Sequence, residues 1–221
     1  MTSTPGRHAG LTVTGPRPLA AAALELEDRF QQIITYEDPP YGNPADLAPG
    51  PGSLPVPRPG SITIEYGENE PVERVLRRAI EAHEGAGNPG WFAIVRSGDR
   101  IDVVPRAYLT AAGEVAERTP LLDTVISRAP IRTSGLEFLE RLASALSEER
   151  GEEVKIGTVP VNLLALDSSM DSDEAMPARR ILGARLSRLN RDLSWQLLNE
   201  PASRTFVLNI HSMSAAHDID H

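Results

Sequence analysis

Short alternating apolar runs and apolar stripes spaced three or four apart succeed one another in a fixed order along this chain. The order is strand, helix, strand, helix, hairpin, over residues 11–105 and again over 122–210. In the first pass, Leu11 to Thr14 alternates with β-branched residues and predicts a strand that Gly15 and Pro16 interrupt. Leu19, Ala22, Ala23, Leu26, Phe30 and Ile33 then share one face of a helix, leaving Glu25, Asp28 and Arg29 outside. Ile33 to Tyr36 predicts a strand that Pro39 and Pro40 end. Ser61 to Tyr66 alternates with period two, so Ile62, Ile64 and Tyr66 face one side of a sheet. A second helix follows, with Asn69 as its cap, Pro71 in its first turn and an apolar stripe of Val72, Val75, Leu76, Ala79, Ile80 and His83 running to Gly85 and Gly87. Trp91 to Arg96 and Arg100 to Val104 flank Ser97, Gly98 and Asp99 and predict a hairpin, with glycine free to take a positive φ.

The second pass opens with Leu121 to Ile126 as a strand. Ser134 and Glu137 form a capping box ahead of Leu136, Leu139, Leu142, Ala143 and Leu146, and Gly151 stops that helix. Val154 to Val159 is the next strand, with Val161 to Leu166 continuing or pairing beyond Pro160. Ala178, Ile181, Leu182, Leu186 and Leu189 line a helix starting near Pro177, and Trp195 opens a hairpin that returns along Thr205 to Ile210. The two passes correspond in pattern and share few identities beyond Trp91 with Trp195 and Pro71 with Pro177. The expected fold class is α+β: two similar βαββαββ-type units, each with two helices packed on a small mixed sheet. The expected boundaries are a disordered tail over 1–10, a first unit over 11–108, a linker over 109–120, a second unit over 121–212 and a flexible tail over 213–221.

Composition narrows the function classes. The chain has 221 residues, 40% apolar and 24% charged, an ordinary globular make-up. A formal net charge of −9 argues against nucleic acid as a partner, because phosphate binding needs clustered Lys and Arg. Arg179, Arg180, Arg185, Arg188 and Arg191 do gather, and read as the solvated face of the second helix of the second unit. The absence of cysteine rules out disulfides and thiolate chemistry. No run of about twenty apolar residues occurs, so no transmembrane segment is expected. No apolar stretch of signal-peptide length follows Arg7 and His8, which taken literally points to the cytoplasm. Residues 41–60 hold six prolines and four glycines; this insert predicts no regular element and reads as an extended surface loop. Within it, Pro55 to Pro59 is similar to polyproline ligands of aromatic grooves.

Chemistry-bearing motifs are sparse. His217 and His221 are spaced for a metal on a helix, but they fall in the chain's last residues without supporting groups, so no metal or other cofactor is expected. His83 ends an apolar helix face and reads as a core-edge residue; it is the base of an alternative reading, a hydrolase with its site between the two units. No nucleophile elbow, phosphate loop or dinucleotide fingerprint occurs, so no catalytic residue is assigned. Tyr36, Glu37, Asp38, Pro39, Pro40, Tyr41 stands out as a rigid, polar and aromatic surface turn. Tyr36, Glu37, Asp38 and Tyr41 are therefore the candidate contacts for a protein or peptide partner.

Leu136 to Gly151 with the Val154 strand, then Ala178 to Asn190 with Leu193, Ser194, Trp195 and the Thr205 to Ile210 strand, resemble the short N-terminal domains of secretins and TonB-dependent receptors. Leu11 to Phe30 and Val72 to Val104 match the same βαββαββ pattern more loosely. The chain is also similar to a group of uncharacterised exported bacterial proteins through Tyr36 to Pro39 and Thr158 to Asn162. The resemblance implies a non-catalytic interaction module of the cell envelope, periplasmic or exported. The chain departs from it in lacking an export signal and a following secretin or barrel region, and in carrying the proline insert; no functional residue is carried over.

Overall fold

The computed structural model describes residues 8–67, 69–127, 132–160, 168–169, 175–188 and 193–213. The N-terminal half runs β1 (His8–Gly15), α1 (Pro18–Phe30), β2 (Ile34–Glu37), β3 (Leu47–Pro49), β4 (Pro55–Pro57), β5 (Gly60–Gly67), α2 (Val72–Gly85), β6 (Trp91–Ser97), β7 (Arg100–Leu109) and β8 (Val115–Glu117). The C-terminal half runs β9 (Val125–Ile126), β10 (Arg132–Thr133), α3 (Gly135–Arg150), β11 (Glu153–Ile156), β12 (Ser168–Ser169), β13 (Met176–Pro177), α4 (Ala178–Arg188), β14 (Leu193–Glu200) and β15 (Thr205–Ser212). The fold is mixed α+β, with four helices among the described residues. None of these helices is long and apolar enough to cross a membrane.

One mixed sheet spans both halves in the order β11, β15, β14, β2, β7, β6, with β8 added to the far end of β7. β6 and β7 form an antiparallel hairpin and β2 runs parallel to β7; β14 and β15 form a second hairpin and β11 runs parallel to β15. The halves join where β14 lies parallel to β2, pairing Gln196 with Tyr36 and Leu197 with Glu37. Outside this sheet β1 pairs antiparallel with β5, and the short pairs β9 with β13 and β10 with β12 stand in the C-terminal half.

The joint puts the helices of the two halves on opposite faces. Ile34, Tyr36, Ile101, Val103 and Phe92 pack with the apolar stripes of α1 and α2 and the inner side of the β1–β5 ribbon. Trp195, Leu197, Phe206, Leu208 and Ile210 pack with α3 and α4. Neighbouring residues in parallel register share a face, so Glu37 lies on the side of Leu197, under the C-terminal helices, while Tyr36 lies on the α1–α2 side. Burying each of these large apolar side chains contributes about 1.5 to 3 kcal/mol before conformational entropy is subtracted.

Most expected elements form where the pattern places them. Ile62, Ile64 and Tyr66 are buried on one side of β5. Ser134 Oγ accepts from the Glu137 N–H at 3.3 Å, and Gly151 closes α3 at φ 66°. The Trp91 hairpin turns through Gly98, at φ 69°, and Asp99, with Ser97 opposite Arg100.

Four expectations need correction. Residues 41–60 are not without regular structure: Asn43 caps a 3₁₀ turn over Pro44–Asp46, and β3 pairs with β4, closed by Gly50 N–H donating to the Leu54 carbonyl at 2.8 Å. A three-residue ladder tolerates prolines because few of its N–H groups are needed. Leu121 to Ile126 is not one strand but a 3₁₀ turn over Leu121–Asp123 followed by β9, which buries the adjacent Leu121 and Leu122 together, as alternation could not. Asn69 does not cap α2; Pro71 precedes its first residue and makes no side-chain cap bond. Val161 to Leu166, Leu189, Arg191, His217 and His221 lie outside the described residues. The 109–120 stretch, expected as a linker, contains β8, which pairs with Ala107 to Leu109 of β7.

Candidate functional site

The joint between the halves concentrates the buried polar side chains. β2 is central in the sheet, so both of its faces are covered: Thr35, Glu37 and the following Asp38 are each 0% exposed, Tyr36 is 1% and Tyr41 is 8%. The expected exposed turn is therefore corrected. Tyr36, Asp38 and Tyr41 are brought together inside the protein, and Glu37 is buried on the opposite face of the sheet.

On the α1–α2 side, Asp38 is the hub. Its carboxylate accepts from Arg17 Nε at 2.7 Å, from the Tyr36 and Tyr41 hydroxyls at 2.8 Å each, and from the Asn199 N–H at 2.9 Å. Arg17 reaches on to the Asn199 carbonyl at 2.5 Å and Glu200 at 3.1 Å, fastening the end of β2 to the end of β14. Burial first, and then the Asp38 charge, hold both tyrosine hydroxyls well above the ordinary phenol range, so they stay protonated donors.

On the opposite face the hub is Arg179, 6% exposed at the start of α4. It donates to Glu37 at 2.5 Å and to Asp123 at 2.7 Å, and its Nη1 stands 3.9 Å from Asp102. The second Glu37 oxygen accepts the Leu121 N–H. Burial pushes the Glu37 carboxyl upward against the pull of Arg179, while burial of Arg179 is outweighed by Glu37, Asp102 and Asp123, which raise it. Asp102 accepts from Thr35 Oγ1 at 2.6 Å and Ser97 Oγ at 2.8 Å. The expected solvated arginine face is corrected here too: Arg179 and Arg185 are buried, Arg185 with its guanidinium 5.0 Å over the Phe138 ring, whereas Arg180 and Arg188 are exposed.

Beside this network lies a cavity of about 580 Å³, walled by the β6–β7 turn, the first turns of α4 and Trp195. Arg100, Asp102, Asp123, Arg179 and Arg180 line it. None of these was singled out as a site residue in the sequence, because Arg100 and Asp102 alternate with buried Ile101 and Val103 and read as the solvent side of a hairpin. Arg179 adjoining Arg180 was the one available signal, and it read as charge on a surface.

His83 lies elsewhere, 3% exposed in the N-terminal core. Its Nε2 is 2.9 Å from the Pro89 carbonyl oxygen, and its ring meets Phe92 edge-on at 5.2 Å between centroids. Burial lowers its pKa below the ordinary 6.5, and Nδ1 has no partner to receive an added proton. The folded chain therefore takes up this proton less readily than the unfolded one, and stability is lost as pH falls from the unfolded-state value towards the lower folded-state value. His83→Gln is expected to flatten the stability curve between about pH 7 and pH 5 in denaturant titrations. An unchanged slope would remove His83 from the acid sensitivity.

Comparison with family models, with curated proteins and with solved structures returned no match.

Proposed function

We propose that this chain is a non-catalytic interaction module of two similar βαββαββ-type units that takes up an extended protein or peptide segment on an open edge of its sheet. The observation that carries the reading is the joint itself. The two halves are held together by strand addition, β14 beside β2, and the sheet ends in β6 and β11, which occupy the positions in their own halves that β14 and β2 occupy in theirs. The same kind of edge used at the joint is left at each end of the described sheet, where unpaired N–H and C=O groups offer a template for another strand.

Matching pairings support the duplication within this reading. In each half a hairpin's second strand runs parallel to the strand that follows the first helix, and the strands flanking that helix's unit pair antiparallel, β1 with β5 in one and β9 with β13 in the other. The resemblance to secretin and TonB N-terminal domains fits this use and an envelope location. A hydrolase would need a base in the cavity between the halves. His83 is not among its lining residues; of the carboxylates that line it, Asp102 and Asp123 are engaged by Thr35, Ser97 and Arg179, and Asp99 stands exposed on the β6–β7 turn.

Of the two edges, β11 carries Lys155 and Glu153, charged residues of the kind that discourage pairing, whereas β6 presents Val95 at 43% exposure. β6 is therefore the proposed edge. Affinity purification from the native host, comparing the wild-type chain with Val95→Lys, is expected to recover a stoichiometric partner only with wild type while both chains show the same circular dichroism. Recovery of the same partner at the same level by Val95→Lys would sink the β6 edge. Fractionation of the same material tests the envelope location.

A further inference from the structure

We infer that the cavity beside Arg179 is a binding site for a small organic monocarboxylate with an apolar body, held by Arg100 and Trp195. This goes beyond the edge interaction and rests on Arg100, Trp195 and Gly183, with Val95 common to both.

Arg100 is 7% exposed, yet among the described residues no hydrogen bond or ion pair holds its guanidinium, and its Nε is buried without a partner. Its Cζ lies 4.8 Å over the Trp195 ring. A buried cation without a contacting anion is costly, and such a group is kept where something else completes it. Two more N–H donors, on residues of the same wall, lack a hydrogen-bond acceptor: the Trp195 indole Nε1, and Arg179 Nη1, which stands 3.9 Å from Asp102. These three orphaned atoms are all donors, so a group that completes them is an acceptor.

The walls select among acceptors. Asp102 accepts from Thr35 and Ser97 and Asp123 Oδ1 from Arg179, and Asp99 stands on the exposed turn; a cationic ligand deep in the cavity would meet Arg100 and Arg179, with Arg180 in the same wall. The carboxylates of Asp99, Asp102 and Asp123 in the same wall disfavour a dianion such as phosphate more than a singly charged group. A carboxylate matches the planar fork of Arg100. The remaining lining, including Val95, Pro177, Ala184 and the Trp195 ring, suits an apolar body, and about 580 Å³ is the size of a small-molecule pocket.

Gly183 of α4 fixes the arrangement. A Cβ there would stand 2.5 Å from Arg100 Nη1 and 2.7 Å from Cζ, so the guanidinium occupies the space that any other residue would fill. Gly183→Ala keeps every charged group of the site while displacing the arginine.

The test is thermal shift and calorimetric titration of the full chain with benzoate and 2-naphthoate, with benzamide as the neutral control and inorganic phosphate as the dianion. The carboxylates are expected to raise the melting temperature with increasing concentration, and benzamide and phosphate to do so weakly or not at all. Arg100→Met is expected to weaken carboxylate binding by roughly tenfold or more while the unliganded protein melts no lower than wild type, because an unpaired buried cation has been removed. Gly183→Ala is expected to lose the response with unchanged circular dichroism. Absence of any carboxylate response in wild type, an equal response in Arg100→Met, or a wild-type response in Gly183→Ala would each overturn the proposal. A lower melting temperature of unliganded Arg100→Met, with no carboxylate response in wild type, would make Arg100 a packing residue against Trp195.

Discussion

Arg179→Met is expected to destabilise the protein by about 3 to 5 kcal/mol, among the largest effects of any single substitution in the chain. The reason is what remains. Glu37, 0% exposed, keeps only the Leu121 N–H, and Asp123 loses its 2.7 Å partner. An uncompensated carboxylate in the interior costs far more than the net worth of the pair it belonged to. Two consequences separate this account from simple loss of packing. Glu37→Gln combined with Arg179→Met is expected to recover more than half of the deficit, a non-additivity that chemical denaturation of the four chains would measure. The deficit of the single variant is also expected to shrink at acid pH. The Glu37 carboxyl is already raised by burial, and a group whose folded-state pKa lies above its unfolded value adds stability as pH falls through the folded-state value. Strictly additive substitutions with a pH-independent loss would show that Glu37 and Arg179 are not coupled as described.

Asp38→Ala is expected to cost a comparable amount, about 3 to 5 kcal/mol, on the other face of the sheet. It strands two buried tyrosine hydroxyls and the Asn199 N–H, and leaves Arg17 with Glu200 and a carbonyl. Asp38→Asn keeps one acceptor oxygen and is expected to lose about half as much. Denaturant melts give the stabilities. Hydrogen exchange is expected to place the damage at the ends of β2 and β14, since Asp38 fastens one to the other through Arg17 and Asn199. A loss spread evenly over both halves would contradict that placement.

These residues also mark the limit of what the chain's pattern reveals. The α2 stripe from Val75 to His83, the Ile62, Ile64, Tyr66 face and the Trp91 and Trp195 hairpins are legible because their periodicity is local and each buries one side. The polar sides of β2 and β7 alternate just as cleanly, with Thr35 and Glu37 opposite Ile34 and Tyr36, and Arg100 and Asp102 opposite Ile101 and Val103. Alternation assigns such a side to water. It is interior here because α4, about eighty residues further on, covers it, and because β14 takes the edge of β2 from 160 residues away, as in the Ser194 hydroxyl bonded to the Ile34 carbonyl. Sequence periodicity carries no information about pairing across that distance. The same blindness turned Arg179 into a surface charge and Tyr36 to Tyr41 into an exposed turn. The second of these errors has a physical signature in hindsight: an acid between two tyrosines at a strand exit can take both hydroxyls, as Asp38 does. Leu121 to Ile126 failed for a different reason, since Pro120 and the Glu37 acceptor bend the chain into a 3₁₀ turn where its apolar content alone reads as strand.

The proposed function rests on the joint between the two halves. On the proposed reading, the strand pairing that unites them leaves β6, with Val95 exposed and Arg96 paired to Glu73, as the edge that takes a partner, ahead of β11 with Glu153 and Lys155. The measurement that tests this most directly is amide hydrogen exchange of the chain alone and in complex with the partner recovered from its host. The account predicts that protection on binding concentrates in Trp91 to Ser97, with the β14–β2 joint unchanged. Protection confined to any other surface, with Trp91 to Ser97 exchanging as in the free chain, would contradict it.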